Sequence, residues 1–487
     1  MSTYSPVAVI KTGCFQYPAN VEAFRPGTAY PEYHGALSPD PNPIYDGVRE
    51  ALHLLGLDAE RYGTPDWNPL GEYVRPGMNV LIKPNLVMDV NQNPDGGTDC
   101  LYTQPSVVAP MVDYILLALN GSGSIVIGDA PMQSCDFDRL IRESGYQDMA
   151  EYYQKQGADV RLVDFRGSFC RVVNGVHISE EKAGVSGAVI DLGAASEFAA
   201  EDQEKLRRMR ITNYDPRLLQ SHHQSGKHEY EISRYVLDAD VIINMPKPKT
   251  HRKAGVTISL KNFVGANVHK EFLPHHTKGA YSQGGDEYPR RSVLQALRGE
   301  LADRICLCEA EKRYRVLPFY RFASALCCYF LNRSGPYFSE GSWYGNHTIS
   351  RTVADINKLV YYAGKDGSLQ DKPARRVLIL ADMIVSGEGE GPVLPSPKKA
   401  GILAAGLNPV CFDEAVAALM GMAIEKIPTL QTVRKIKEPF KLATDGQAPI
   451  YVSNDPALHE KTPQSIPAEA LLRFTPSAGW AGHIERE

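Results

Sequence analysis

Short apolar runs separated by amphipathic stretches predict alternating strands and helices along most of the chain. The runs Val80–Ile82, Ile125–Ile127 and Val241–Ile243 each contain three consecutive aliphatic residues, which is typical of strands buried on both faces. Between the first two runs, Val107–Leu119 has the spacing of an apolar-faced helix. Strand, helix and strand at these lengths form right-handed parallel crossovers. The pattern therefore predicts an α/β protein with mostly parallel sheets flanked by helices.

The same pattern divides the chain into segments. Residues 1–76 are predicted to be an N-terminal arm and lead-in, and residues 77–265 with 371–430 the α/β core. Residues 266–370 are predicted to be a largely helical insertion or cap, because their helical spacing interrupts the strand pattern. The proline-rich residues 431–487 are predicted to be a peripheral tail.

Polar residues follow the predicted strands where each strand ends. Carboxyl ends of parallel strands meet at one edge of a sheet, so we expect these residues to form one active-site mouth. They are Lys83 and Asn85 after the first strand, Asp129 after the second, Lys247, Lys249 and His251 after the third, and Asp382, Glu388 and Glu390 after the run Val377–Asp382.

The third of these strands opens a stretch that is dense in cations, Val236–Asn262. A span of 15 residues inside this stretch contains six basic residues: Lys247, Lys249, His251, Arg252, Lys253 and Lys261. One interpretation is a solvated basic loop. The other is an anion site, since Thr250 and Asn262 add donors of fixed geometry that a solubilising surface does not need.

Composition narrows the choice of partner. The 487 residues carry a net charge of −5, which argues against a nucleic-acid-coating protein. Cations concentrated in one stretch favour a small anionic ligand. The longest apolar run, Phe322–Leu331, is ten residues long and too short to span a bilayer. It predicts a buried helix and makes membrane association unexpected, with a monotopic membrane patch as the alternative.

Nine cysteines without a CxxC pair, and a start that lacks a secretory signal, predict reduced thiols in the cytoplasm. The oligomeric state is not predicted. Each candidate residue has a role that suits its chemistry. Lys83, Asn85, Lys247, Lys249, Thr250 and Asn262 are predicted to bind substrate, His251, Lys261, Asp129 and Asp382 to be catalytic, and His275, His276, Glu388 and Glu390 to hold a divalent metal if one is present.

Several motifs in this order resemble those of the domain-of-unknown-function family 362. They are KPNLV, IGDAP, ADVIINMPKPKTH, EGEGP and LNPVCFDEAVAALMG, and the resemblance covers residues 77–430. It implies a fold more than a reaction. Many family members carry a ferredoxin-like cysteine module, but this chain lacks its spacing, so no iron–sulfur cluster is expected.

A more remote resemblance is to the lactate racemase family. There a loop histidine is followed ten residues later by a lysine that holds a nickel-pincer nucleotide, and a further histidine ligates the metal. Here His251 and Lys261 are ten apart, and His275 or His276 follows. The glycine pair expected between histidine and lysine is replaced by Thr257-Ile258-Ser259-Leu260, so the resemblance implies a shared scaffold rather than a shared cofactor.

Three hypotheses remain open. The first is an enzyme acting on a small carboxylate or phosphorylated sugar by acid–base chemistry. The second is a metal-dependent isomerase on a racemase-like scaffold. The third is a non-catalytic module that binds an acidic saccharide or phospho-ligand.

Overall fold

The computed structural model describes residues 3–173, 176–443 and 446–486, and its strands alternate with helices as predicted. The strands are β1 Tyr4–Lys11, β2 Asn79–Pro84, β3 Ser124–Asp129, β4 Val160–Asp164, β5 Ser168–Val173, β6 Val176–Glu181, β7 Gly187–Asp191, β8 Met209–Arg210, β9 His223–Gln224, β10 Lys227–Ser233, β11 Val241–Met245, β12 Lys249–His251, β13 Gly255–Thr257, β14 His276–Thr277, β15 Arg376–Glu390, β16 Leu394–Gly406 and β17 Ala448–Ser453. The α-helices are α1 Pro43–Leu54, α2 Pro105–Leu119, α3 Phe137–Ser144, α4 Tyr146–Lys155, α5 Gln203–Arg207, α6 Pro216–His222, α7 Arg234–Leu237, α8 Ser259–Asn262, α9 Val293–Ala310, α10 Leu317–Arg333, α11 Thr348–Tyr362, α12 Pro409–Leu419 and α13 Pro428–Val433.

The central sheet has the strand order β17-β1-β16-β15-β11-β2-β3-β4. All neighbours pair in parallel except β1 with β16 and β16 with β15. The predicted α/β class with mostly parallel sheets is therefore confirmed. Since β11, β2 and β3 are parallel neighbours, their carboxyl ends lie at one edge of the sheet.

Helices cover both faces of this sheet, which explains the continuous apolar runs. Leu81 and Ile242 belong to one core with α11 and α12. Their sequence neighbours Val80 and Val241 point to the opposite face and belong to a second core with α1, α2 and α4. Successive side chains of a strand alternate between faces, so a strand buried on both sides must be apolar at every position.

Three of the predicted segments pack differently from the expectation. The N-terminal lead-in is part of the core, because β1 lies between β16 and β17. The tail from residue 431 is not peripheral, since β17 joins the central sheet and Trp480 is buried. The segment 266–370 is not one cap, because α11 packs in the main core while α9 and α10 pair with each other.

The glycine- and acid-rich segment after Asp382 is also different from the prediction. Strand β15 continues through it to Glu390 and pairs with β16 as a long hairpin. Asp382 is therefore in the middle of a strand and not at its end. No helix within residues 3–173, 176–443 and 446–486 combines the length and apolar character that a bilayer crossing requires.

Candidate functional site

The basic stretch folds as a short hairpin followed by one turn of helix. After β11 ends at Met245, β12 and β13 pair antiparallel with Lys249 opposite Thr257. Gly255, the first residue of β13, has φ +78, and a Cβ there would lie 2.7 Å from the Ile484 side chain. The close contact with the C-terminal segment therefore requires glycine at this position. Helix α8 follows and carries Lys261.

A carboxylate of the last long helix holds this helical turn in place. Asp413 on α12 accepts hydrogen bonds from the Ser259 and Leu260 amides at 2.9 and 3.1 Å and also binds the Ser259 hydroxyl. Burial raises the pKa of Asp413 to about 7, although these donors favour its charged form. Asp413 thus caps the turn that positions Lys261, and sequence reasoning missed it because it lies within an apolar helix.

The first cation of the stretch is compensated by a carboxylate. Lys247 Nζ lies 2.9 Å from Asp382 and 2.6 Å from the Tyr17 hydroxyl, which itself donates to Asp382 at 2.6 Å. Both side chains of the ion pair are fully buried. Burial lowers the pKa of Lys247, and Asp382 opposes that shift. Tyr17 was not predicted, because its N-terminal segment has no strand pattern.

A second ion pair joins the ends of β2 and β3. Lys83 Nζ lies 2.7 Å from Asp129 and 3.3 Å from the Asn262 side-chain oxygen. Asp129 also accepts from the Leu86 amide at 2.7 Å. A Cβ on Gly265 would lie 1.9 Å from the Asp129 carboxylate, so only glycine fits here.

Lys249 is buried and has no ion-pair partner among the described residues. Its ammonium donates to the Asn85 side-chain oxygen at 2.9 Å and to the Leu101 carbonyl. Burial and the neighbouring Lys247 lower the pKa of Lys249 to about 7. The Thr250 hydroxyl shares its proton between the Gly389 and Thr475 carbonyls at 3.0 and 3.1 Å, so it ties β12 to β15 and to the C-terminal segment and does not face a ligand.

Beside these groups lies a cavity of about 440 Å³. It is bounded by the hairpin, by α8 and by segments from β3 and the region after β8. Its polar wall consists of Asn85, Gln92, Asp129, Gln133, Thr212, Asn213, Tyr214, His251, Arg252, Lys253, Thr257, Lys261, Asn262, Lys270, His275 and Glu340. Sequence reasoning gave no site role to Arg252, Lys253, Lys270 or Glu340, although the first two lie in the basic stretch.

The cations of the cavity are only partly compensated: Glu340 raises the pKa of Lys253 and Asp129 raises that of Lys270, each against the effect of burial. Among the described residues, Arg252, Lys253, Lys261 and Lys270 form no ion pair. Lys253 donates to the Thr212 hydroxyl and Lys270 to the Ala130 carbonyl, each at 2.8 Å. Burial, followed by the neighbouring cations in the case of Lys261, lowers the pKa of each of the three lysines to about 8.

Two further polar groups of this cavity lack partners. The Arg252 Nε and the Thr257 hydroxyl are buried, and neither has a hydrogen bond within the described parts of the chain. A buried donor without an acceptor is unfavourable by about 1–3 kcal/mol. An anion in the cavity would supply acceptors to both groups and negative charge to the cations.

Two histidines of the cavity have complementary tautomers, as assigned from their hydrogen bonds. His251 Nδ1 accepts from the Lys253 and Ala254 amides at 3.0 and 3.1 Å, so its proton is on Nε2. His275 Nδ1 lies 2.7 Å from the Leu273 carbonyl and must donate to it, which leaves Nε2 as an acceptor. Burial and the nearby lysines hold both pKa values well below 6.5, so both rings are neutral at pH 7.

The predicted metal ligands are not brought together. His276 lines a second cavity of about 180 Å³ under α9 and α10. Glu388 and Glu390 accept from the Thr475 and Ala478 amides at 2.8 and 2.7 Å, so they fasten the C-terminal segment. In the part of the chain that the structure describes, no group of three or more His, Cys, Asp or Glu side chains could hold a metal ion.

The nine cysteines are free. Cys100, Cys135, Cys308, Cys327 and Cys411 are buried, and none of the nine lines the 440 Å³ cavity. The cavity therefore offers amines and imidazoles, without a thiol.

Comparison with known proteins identifies a family but no activity. The family described as "Domain of unknown function (DUF362)" matches residues 80–193 and 192–418. A curated protein, the thylakoid-associated protein sll1697 of Synechocystis sp., is 25% identical over 196 residues, which is 40% of this chain and 41% of that protein. The chain thus spans less than half the length of that relative. No solved structure matches the chain.

Proposed function

The chain belongs to the DUF362 family, and from its cationic cavity we propose that it is a cytoplasmic enzyme that acts on a small anionic substrate by acid–base chemistry. The substrate class is a carboxylate or a phosphorylated sugar. One observation carries the proposal: four cations line a 440 Å³ cavity, and no described carboxylate forms an ion pair with any of them.

Partly buried charge without an ion-pair partner is unfavourable in the free protein. Desolvation of one ion costs several kcal/mol even after relaxation, and like charges nearby add to this. A bound anion removes that penalty and is bound more tightly because of it. Arg252 and the three lysines would hold the anionic group, while Thr257 and Asn85 would supply polar contacts to the rest of the ligand.

The two histidine tautomers support proton transfer on such a ligand. Within the described residues His275 Nε2 has no hydrogen-bond partner, and once a bound anion offsets the charges of Lys253 and Lys261 that lower its pKa, it can accept a proton from a carbon or oxygen of the substrate. His251 Nε2–H can donate to the oxygen on which negative charge develops. This assignment makes His251 a donor and not the general base that its ordinary pKa would suggest, and gives the base role to His275.

Lys261 is the second group that could exchange a proton. With a pKa of about 8, a fraction of its amine is neutral near pH 7. Asp129 and Asp382, both predicted as catalytic, are each bound to a lysine in the free protein. We therefore assign them to holding Lys83 and Lys247 in place.

The test has two stages. Thermal unfolding in the presence of a panel of small carboxylates and sugar phosphates selects ligands that raise the melting temperature. Each such ligand is then incubated with the protein in D₂O, and NMR follows the exchange of its carbon-bound protons. We expect exchange with the natural protein and none with His275→Gln, while ligand binding remains. Binding without exchange for every ligand would favour the non-catalytic module instead.

A metal-dependent isomerase on a lactate-racemase-like scaffold is the second candidate, because Lys261 and His275 line one cavity. The Lys261 amine has no hydrogen bond within the described residues and would be free to attach a nucleotide cofactor, and His275 Nε2 would be free to bind its metal. Such a cofactor would supply hydride chemistry when bound. Intact-mass and elemental analysis decide: an adduct lost in Lys261→Arg favours this candidate, whereas an unmodified, metal-free chain with proton exchange excludes it.

A further inference from the structure

Helices α9 and α10 form an antiparallel pair beside the core, and α10 presents large apolar side chains to solvent. Phe319 and Phe322 are 70% and 71% exposed, and Tyr329 is 51% exposed. The sequence pattern predicted a buried helix at Phe322–Leu331. A helix is present there, but much of its apolar surface is uncovered.

The exposed residues form one stripe along α10. Phe319, Phe322, Leu326, Tyr329 and Phe330 are spaced by three, four, three and one residues, which places them on the same side of a helix. The opposite side carries the buried residues Leu317, Cys327 and Leu331. The stripe is therefore not the core-facing side of the helix, and exposed apolar surface of this kind marks an interaction site.

The same region is basic, in contrast to the rest of the molecule. Residues 311–333 contain five basic residues and one acidic residue, which gives a net charge of +4, whereas the whole chain carries −5. The basic residues are Lys312, Arg313, Arg315, Arg321 and Arg333. Lys312 and Arg315, in the turn between the helices, form no ion pair within the described parts of the chain.

We propose that this hairpin docks on the surface of an anionic lipid bilayer, with α10 lying in the plane of the membrane. Its aromatic stripe would enter the boundary between headgroups and acyl chains, and the cations would contact anionic headgroups. The arrangement is interfacial, consistent with the length of α10, which has 17 residues. This favours the monotopic membrane patch, which the sequence left as the alternative, over the expectation that the protein does not associate with membranes.

Charge decides between a membrane and a second copy of the chain. In a symmetric dimer the same patch lies on both sides of the interface. Glu309 pairs with Arg321 and Glu311 with Arg313, but Lys312, Arg315 and Arg333 have no ion-pair partner among the described residues, so two such faces would bring unpaired cations together. An anionic bilayer instead neutralises the cations and buries the aromatic rings, and the acidic remainder of the protein would be held away from the lipid by repulsion.

Vesicle flotation of the full-length protein tests the proposal. We expect binding to vesicles of phosphatidylcholine with phosphatidylglycerol, weaker binding to pure phosphatidylcholine, and release at high salt. Phe319→Ser/Phe322→Ser should lower the partition coefficient at least about tenfold. Lys312→Glu/Arg315→Glu should lower it on the anionic vesicles alone.

The matched control is Val189→Ser/Leu218→Ser, which removes two apolar residues that are 54% and 46% exposed elsewhere on the surface. It should bind vesicles as the natural protein does. Because all four apolar positions are exposed, each variant should keep its melting temperature, which is measured in parallel.

The proposal is overturned if the natural protein does not bind anionic vesicles, or if the control lowers binding as much as the Phe319→Ser/Phe322→Ser variant. Light scattering tests the other possible partner of the stripe, a second copy of the chain. A dimer that this double variant dissociates, together with no vesicle binding, would show that the stripe is an interface between copies of the chain.

Discussion

Lys247 and Lys261 come from the same basic stretch, yet their surroundings are opposite. Lys247 is fully buried beside Asp382 at 2.9 Å, with the Tyr17 hydroxyl at 2.6 Å. Lys261 lines the cavity with Arg252, Lys253 and Lys270, and within the described residues it has neither an ion pair nor a hydrogen bond. The first lysine is part of the scaffold, and the second is available to a ligand.

The difference arises from which lysines of the basic stretch have a carboxylate beside them in the fold. Strand β15 provides Asp382 where the chain leaves β11, and β3 provides Asp129 for Lys83. The hairpin and α8, which follow in sequence, lie beside carboxylates that form ion pairs with other residues. Glu340, for example, pairs with Arg298 at 2.9 Å. Charge density along a sequence thus does not identify a ligand site, and the lack of a partner in the fold is the more informative property.

The largest expected change in stability comes from breaking the ion pair between Lys247 and Asp382. Asp382→Asn leaves Lys247 charged and buried without a carboxylate, which should lower the free energy of unfolding by about 3–5 kcal/mol in urea titrations. Asp371→Asn, at an exposed position, should change it little. The double variant Lys247→Met/Asp382→Leu should recover most of the loss. A loss below about 1 kcal/mol in Asp382→Asn would show that the pair is not a structural element.

Substitution of Lys261, a cation without an ion-pair partner, should raise the free energy of unfolding rather than lower it. Lys261→Met removes a charge whose burial is opposed by its neighbours, so stability at pH 7 should rise by about 1–2 kcal/mol. Lys247→Met, as the matched lysine, should instead lower stability because it leaves Asp382 unpaired. Urea titrations of both variants check the contrast, and equal losses in the two would remove the distinction between the cation sets.

An anion should stabilise the protein in a pH-dependent manner. Sulfate at about ten times its Kd should add about 1.4 kcal/mol to the free energy of unfolding at pH 7. The effect should decline above pH 8, because Lys253, Lys261 and Lys270 lose their protons there in the free folded state, each having a pKa of about 8.

Without an anion, the pH dependence of stability that these lysines cause has the opposite sign. In the unfolded chain these lysines keep their protons up to about pH 10.4, so the unfolded state binds more protons than the folded state between about pH 8 and pH 10.4. Their contribution to stability therefore rises with pH across this window. Melting temperatures measured with and without sulfate should converge as pH increases. A sulfate effect that grows above pH 8 would contradict the assignment of these lysines.

The smallest effect is expected at His251. His251→Asn places an amide oxygen near the position of Nδ1, where it can accept from the Lys253 and Ala254 amides, and removes the Nε2–H donor. The free energy of unfolding should change by less than about 1 kcal/mol, while proton exchange on the substrate is lost. If this variant instead unfolds the hairpin, His251 is a structural residue, and if exchange is retained it is not part of the chemistry.

Much of the fold was predictable because buried strands leave a local pattern. The runs at 80–82, 125–127 and 241–243 are β2, β3 and β11, and their polar carboxyl ends do meet at one edge. The extension of β15 was not predictable from periodicity, since its glycine and glutamate residues have low strand propensity and are held by pairing with β16. Trp480 belongs to the core through contacts distant in sequence, which no local pattern reveals.

The candidate site was predictable only in part. Asn85, Asp129, His251, Lys261, Asn262 and His275 do line the cavity. Lys270 was missed because a single lysine outside a charged run has no signature, and Thr250 and Asp382 were misplaced because their partners lie far along the chain. The tautomers of His251 and His275 depend on backbone groups whose positions only the fold defines.

Isothermal titration calorimetry with sulfate at pH 7 tests the central claim most directly, because it asks whether the cavity binds an anion. We predict saturable binding at one site per chain in the natural protein. In Lys261→Met that affinity should be at least about tenfold weaker, while it should be unchanged in the surface variant Lys372→Met. The claim would be contradicted by the absence of saturable binding to the natural protein, or by equal affinities in Lys261→Met and the natural protein.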